Sequence, residues 1–589
     1  MATTNLVPTI VSDIYKGSYS STYPYTSGTF GLLKGELIFS ASDGLHGQEL
    51  WRSDGSVAGT ALVKDIYPGI TNRQFNNSSP SDFITLNNTI FFTADNGVTG
   101  PELWKSDGTA AGTTLVKDIY AGSNSAFQSQ WWWGYQPIGT TNGSLIFFAA
   151  NDGVTGQELW KSDGTEAGTV LVKDISPASA FPRDFTTVAG TVFFTAEDGV
   201  TGRELWKSDG TAAGTVLVKD LYPGFNEQGF LNSSSPSNLT SVNQTLFFVA
   251  ENDLTGRELW KSDGTTAGTV LVKDIALGSV SSSPSNLTNV NGTLFFTANG
   301  GQLWKSDGTA AGTVLVKNIL SSGARTNDSN SSKLTNVNGT LFFTANDGVT
   351  GQELWKSDGT TAGTVLVKDI NPRVIDFRGP WPEGSYPSNL TNVNGTLFFT
   401  ADDYISGREL WRSDGTTAGT VLVGDITPRS GYGYDGPSSL INVNGTLFFT
   451  ADDGIHGNEV WKLVSPDQLE PHQSFFSFVQ YSRYSGLPDP IALTQQRNAA
   501  SLLPWLFDEG FYRSHNPDVA AAINRGEIGT GFDHFLSYGQ FEGRSPSILF
   551  DEGFYRSNNR DVADAIAAGQ FTSGLQHFLT YGVKENRDP

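Results

Sequence analysis

The chain has 589 residues and a formal net charge of −23. That acidity argues against a nucleic-acid partner, because phosphate contacts need a surplus of Lys and Arg. There is no cysteine, which removes disulfides, thiolate metal sites and cysteine nucleophiles together. Abundant glycine and aromatics suggest many short strands and turns rather than a helical bundle, and no apolar run approaches membrane-spanning length.

The opening residues, MATTNLVPTIVSDIYKG, show neither a basic n-region nor an apolar h-region, so no cleaved signal peptide is expected. Within them Pro8 to Gly17 reads as a lone strand with its exit. It matches the last strand of a unit that then recurs about every fifty residues, a period in the range of propeller blades. The copy starting at Leu334 is LTNVNGTLFFTANDGVTGQELWKSDGTTAGTVLVKDI. It contains four strand-like stretches: A (LTNV), B (TLFFTA), C (QELWKSD) and D (TVLVKDI). Asn-Gly or a near variant joins A to B, since both residues tolerate positive φ. SDGTxxGT joins C to D, with the Asp side chain able to bond nearby N–H groups. Consecutive apolar residues such as LFF, without clean alternation, predict strands covered on both faces.

The motif tryptophans fall at 51, 104, 160, 206, 260, 304, 355, 411 and 461. The ninth unit has A, B and C but breaks off after EVWK without an SDGT turn or a D strand. One strand is missing at the end and one is spare at the start. A ring closed by pairing those termini accounts for both and hides two sheet edges. The predicted fold is therefore an all-β, nine-bladed β-propeller over residues 1–463, with eight blades and one irregular unit as the alternative. Recurrence from unit to unit makes the motif Trp, Asp and Gly structural: a blade interface needs them in each blade, whereas one ligand site needs them once.

Glu49-Leu-Trp-Arg-Ser-Asp-Gly, Glu102-Leu-Trp-Lys-Ser-Asp-Gly-Thr and their later copies resemble the ELWxxDGT-repeat proteins of bacteria, cyanobacteria among them. The departures are Ser56 for Thr, Gln302 for Glu and Val460 for Leu. The resemblance implies a propeller-like fold and a secreted or cell-surface setting, and it brings no catalytic activity. Export would use a route without a cleaved N-terminal signal; a cytoplasmic location stays open.

Function is expected where the copies differ. The A–B and C–D turns are nearly constant, whereas the D-to-A connectors vary in length and composition. In a four-stranded meander the D–A connectors and B–C loops emerge on one rim, so the variability collects there. The connectors carry Trp131, Trp132, Trp133 and Tyr135, then Trp381 and Tyr386, then Tyr432 and Tyr434. Exposed rings of this kind stack on sugars or anchor a protein partner; the competing reading is that they fold inward and plug the channel. The B–C loops add Asp43, Asp95, Asp152, Asp198, Asp253, Asp347, Asp403 and Asp453 at similar places. Asp-x-Gly runs suit Ca²⁺, with Asp152, Asp198, Asp347 and Asp453 as candidate ligands. No loop has the full calcium-loop pattern, and turn formation is the simpler role. Six histidines form no HExxH, and no GxSxG or phosphate-binding glycine loop stands out, so no catalytic residue is assigned.

Residues 464–500 read as a linker. Residues 501–589 hold a second repeat, in which FDEGFYRSHNPDVAAAINRG from Phe507 matches FDEGFYRSNNRDVADAIAAG from Phe550. These units resemble the NPDVA/HFxxYG modules appended to large secreted cyanobacterial proteins, which implies docking or anchoring. They are predicted helical, Asn516-Pro517 being a helix start and Gly526 and Gly539 helix stops. His534 and His577 are expected in the module's core. The leading functional expectation is a non-catalytic binding protein that recognises a glycan or surface protein through its aromatic rim. The alternative is a structural subunit of a surface fibre or sheath, self-assembling head to tail.

Overall fold

The computed structural model describes residues 6–16, 19–22, 30–127, 138–319, 332–375, 381–427, 436–454 and 456–465, and parts of 512–578. Nine four-stranded antiparallel sheets follow one another along the chain, and the fold is a nine-bladed β-propeller. The linker 466–500 lies outside the described residues.

Each blade is an A–B–C–D meander. Blade 2 is typical, with Ser81–Leu86, Thr89–Asp95, Pro101–Ser106 and Thr114–Lys117. The A strands begin two residues before the LTNV-like core. Their second residue (Asp82, Asp184, Asn238, Asn286, Lys333, Asn389 or Ser439) takes a positive φ, and pairing with strand B is shifted there. Consecutive A strands are neighbours all the way round, and Phe30–Leu33 of blade 1 neighbours Ser438–Val443 of blade 9. The A strands thus form the inner ring and the D strands the outer wall.

The doubled Phe of strand B explains why the apolar run does not alternate with polar residues. Phe91 packs forward with Phe148 and Trp160 of blade 3, whereas Phe92 packs back against Leu33, Ile38 and Leu50 of blade 1. Both sheet faces are interior because every blade has two neighbours. Burying one such ring contributes about 1.5–3 kcal/mol, and the motif Trp shares the same interface. Trp160 lies under Lys117 of the preceding blade, whose Nζ stands 5.9 Å from the ring centroid.

Ring closure uses the predicted strand. Val7–Ser12 is the outermost strand of the ninth sheet, beside Asn458–Val464. Val11 and Ile14 share a core with Val443, Phe448 and Val460 of blade 9 and with Leu37, Phe39 and Trp51 of blade 1. The seam is also bonded like other blade boundaries. Asn444 Nδ2 donates to the Gly35 carbonyl at 3.3 Å, as Asn394 Nδ2 does to Gly445 at 3.1 Å. The eight-bladed alternative is set aside.

The described residues of 512–578 are largely helical. Helices span Pro517–Asn524, Glu552–Asn558, Arg560–Ala567 and Gly574–His577. His534 and His577 are buried, each with Nδ1 on a buried tyrosine hydroxyl, 3.0 Å from Tyr512 and 2.9 Å from Tyr555. Asn516 precedes Pro517 as expected, but its side chain does not cap the helix. Its Nδ2 donates back to the Tyr512 carbonyl instead. Asn559 repeats that bond to Tyr555, so the second copy forms its helix with Arg560 in the proline position. Gly526 lies outside the described residues, and Gly539 ends a π-helical turn, Phe535–Gly539.

Candidate functional site: two unlike rims

The C–D turns make one rim, and their motif residues bond to one another. In blade 2, Asp107 Oδ1 accepts from Thr109 N and Thr109 Oγ1, Ser106 Oγ meets Thr113 Oγ1 at 2.7 Å, and Thr113 Oγ1 donates to the Thr109 carbonyl. Ser56, the one departure from Thr, makes the same 2.7 Å bond to Asp54. The D-strand lysine then ties this rim together. Lys64, Lys117, Lys173, Lys219, Lys273, Lys317 and Lys368 each donate to the carbonyl of Thr113, Thr169, Thr215, Thr269, Thr313, Thr364 and Thr420, respectively, in the next blade. Blade 8 breaks the series with Gly424. Blade 9 has no C–D turn to receive a lysine, and Pro8 stands where a Gly424 side chain would go. This substitution was visible in VLVGD and is a direct sequence mark of the closing blade.

The other rim joins B–C loops to D–A connectors, as the meander requires. In blade 3, Ala180 N and Phe181 N of the connector both donate to the Gln157 carbonyl at the end of the B–C loop. A side chain at Gly156 would overlap the Ala178 carbonyl. Beneath this layer lies the motif glutamate, whose role sequence reasoning missed. Glu49 accepts from Ile66 N (2.7 Å), Ser78 N (3.0 Å) and Ser78 Oγ (2.6 Å), so one buried carboxyl pins the strand D exit and the path to the next blade. Glu204, Glu258 and Glu353 repeat the set with Ser234, Ser282 and Ser385. At the seam Glu459 holds Tyr15 N and Ser21 Oγ from the amino-terminal segment. Burial outweighs these donors and raises the carboxyls, Glu49 to about 7 and Glu102 and Glu459 to about 8. Recurrence in the ELW motif was the available signal.

The candidate calcium ligands serve their own turns. Asp152 Oδ1 accepts from Val154 N, Thr155 N and Thr155 Oγ1, and Asp198 and Asp347 do the same in their blades. Asp453 holds His456 N, and its second oxygen meets His456 Nδ1 at 2.7 Å. The four stand in four different blades. Among the described residues no group of three or more acidic or imidazole side chains is placed to hold a metal. Asp43 and Asp403 occupy the same turn position. Asp95 and Asp253 do not: Asn96 and Asn252 make the turn bonds in blades 2 and 5, one residue away from the assigned aspartates.

Of the aromatic candidates, Trp131, Trp132, Trp133, Tyr135, Tyr432 and Tyr434 lie outside the described residues. The backbone of Trp381 belongs to a two-stranded ribbon, Val374–Ile375 with Trp381–Pro382. Tyr386 is exposed on the same connector, at positive φ, its N–H bonded to the Gln352 carbonyl. Nearby, Arg373 lies over the Tyr404 ring at 3.8 Å.

A further set was not anticipated. The residue two positions after the turn-making Asp or Asn of the B–C loop is aliphatic and projects outward in seven described blades: Leu45, Val98, Val154, Val200, Leu254, Val349 and Ile405. Exposure reaches 87% at Val154. Blade 6 has the shorter loop Asn299–Gly301 and lacks the position, and Ile455 lies outside the described residues. Connectors add exposed Ile70, Phe225, Phe230, Leu277 and Val280. Among the described residues of the C–D and A–B turns, only Val57 is a large exposed apolar side chain. The sequence signal was an aliphatic residue recurring at the tip of a loop that offers it no burial.

No family model and no curated protein sequence matches the chain. Solved structures similar to it include the computationally designed Ika8 protein, at 14% identity and TM-score 0.34, covering 67% of this chain and 97% of that one. BamB from Moraxella catarrhalis is 14% identical, with TM-score 0.32 and coverage of 65% and 95%. A puromycin hydrolase is 15% identical, with TM-score 0.31, and the match spans 63% of this chain and 58% of the hydrolase. At these values the likenesses carry nothing about activity or partners. Among the described residues no helix is long and apolar enough to cross a membrane.

Proposed function

We propose that the chain is a non-catalytic binding protein of the cell surface or extracellular space, whose connector rim docks a glycan or a surface protein. The helical module would serve for attachment. One observation carries the reading: the large exposed apolar side chains of the loops gather on the connector rim, whereas the opposite rim is closed by its own hydrogen bonds. Exposed apolar surface concentrated on one face marks an interaction site. Each connector leaves the ring after its Glu has fixed both ends, so it can vary without disturbing the blades.

The test is binding of the full-length chain to a glycan array and to immobilised surface extracts. Tyr386→Ala and the combined Trp131→Ala, Trp132→Ala and Trp133→Ala variant are expected to lose the captured ligand with an unchanged melting temperature. A lowered melting temperature with binding intact would assign those rings to packing within the ring.

A further inference from the structure

The loop chemistry narrows the partner, on the premise that the connector rim is the docking face. The B–C turn needs its Asp or Asn oxygen and the N–H groups that bond to it; it does not need the aliphatic side chain that follows. In blade 3 the turn is complete with Asp152 Oδ1 on Val154 N and Thr155 N, and the Val154 side chain stands free in solvent. A polar residue there would satisfy the same backbone. A single exposed aliphatic residue is unremarkable, but here it recurs as Val, Leu or Ile at one position around the ring.

Charge is the second observation. On this rim the loop aspartate stands near the aspartate that ends strand D. Burial and the neighbouring carboxylate raise Asp220 beside Asp198 and Asp369 beside Asp347. The D-strand lysines sit at the far end, each on a carbonyl of the turn rim. Arg203, Arg257 and Arg408 also stand at this rim, each donating to a connector carbonyl, but the loop and strand-D aspartates outnumber them, and the aliphatic tips stand in an anionic field. A nucleic acid or an anionic bilayer would be repelled by it. A second copy of this chain, at net charge −23, does not complement it either. Nor does its own tail, since acidic residues outnumber basic ones in 501–589 as well. A neutral glycan could bond its hydroxyls to the carboxylates but would leave the aliphatic tips unused, because sugar rings stack on aromatic faces.

We infer that the ring of B–C loops docks a cationic, amphipathic polypeptide. Its apolar side chains would pack among Val154, Val200, Leu254 and their equivalents, and its Lys and Arg would reach the flanking aspartates.

Fluorescence anisotropy on the full-length chain tests this with three labelled helical peptides of equal length: an amphipathic Leu/Lys peptide, a Ser/Lys peptide of the same charge, and a Leu/Glu peptide. The Leu/Lys peptide is expected to bind about tenfold more tightly than Ser/Lys, to weaken with salt, and to leave Leu/Glu unbound. The triple variant Val154→Ser, Val200→Ser, Leu254→Ser should erase the Leu/Lys advantage without moving Ser/Lys binding or the melting temperature. Val57→Ser, on the other rim, should change nothing. Equal binding of the two cationic peptides, or an advantage that survives the triple variant, overturns the inference. If in that case a glycan is bound and lost with Tyr386→Ala, the docking face stands and only the partner's chemistry is wrong. If ligand binding ignores every rim substitution, the docking face falls as well.

Discussion

At the turn rim, blade 2 offers Ser106, Asp107, Thr109 and Thr113, all bonded to one another, and receives Lys64 from the blade before. At the connector rim, blade 3 offers Val154 to solvent and a connector whose length differs from that of every neighbour. The same four strands lead to both. The turn rim repeats because each turn is also the docking point for the preceding blade's lysine, so a change in one copy breaks a bond in two blades. The connector rim is free to diverge because Glu49 and its equivalents hold the connector at its roots and ask nothing of its middle. Structural constraint and functional freedom thus sit at opposite ends of one blade.

Substitutions at the roots and at the tips should separate the two rims. Phe148→Ala empties an inter-blade core and is expected to destabilise by about 4 kcal/mol, read as a drop in thermal midpoint; a change under ~1 kcal/mol would deny that blade contacts dominate. Glu49→Ala leaves Ile66 N buried without its acceptor and Ser78 N and Ser78 Oγ with only the Gln48 carbonyl, for a loss of about 2 kcal/mol. Limited proteolysis should then cut first between strand D and blade 2; cleavage spread evenly over the connectors would count against a local staple.

The same carboxyls give a pH dependence. Their folded values, about 7 for Glu49 and about 8 for Glu102, exceed the ordinary glutamate value of about 4.3. The folded state therefore keeps protons that the unfolded chain has released. This contribution is full below the ordinary value and is lost as pH rises through 7 to 8. Midpoints recorded from pH 5 to 9 should fall, and Glu102→Gln should flatten part of the fall; a midpoint rising across that range would refute the assignment. Lys219→Met removes one bond to the Thr269 carbonyl and should cost about 1 kcal/mol. Val154→Ser at a B–C loop tip should stay within about 0.5 kcal/mol of the parent. A cost at the tip equal to that at the lysine would erase the distinction between the rims.

Much of the ring was legible beforehand. The fifty-residue period, the NG and SDGT turns and the doubled Phe each encode a local rule, and the orphan strand at Pro8–Gly17 foretold the seam. The site was less legible. Varying connectors marked one rim as the candidate, with tryptophans and aspartates as the side chains most conspicuous in the sequence. The buried glutamate and the exposed aliphatic residue look ordinary in a string of letters. Their significance lies in burial, which the local pattern inverts: a charged group is interior and an apolar one is at a loop tip. The shift from Asp95 and Asp253 to Asn96 and Asn252 was missed for a related reason, because a turn is made by whichever side-chain oxygen reaches two N–H groups, not by the nearest aspartate.

By itself the sequence determined the blade, its four strands, its turns and the number of copies, because those depend on interactions between residues close along the chain and on counting. Only the tertiary structure decided which glutamate oxygen meets which serine thirty residues on, why blade 8 gives up its lysine, and which apolar side chains stay in water. Those outcomes depend on what a neighbouring blade places within a few ångströms, and that proximity follows from the closing of the ring.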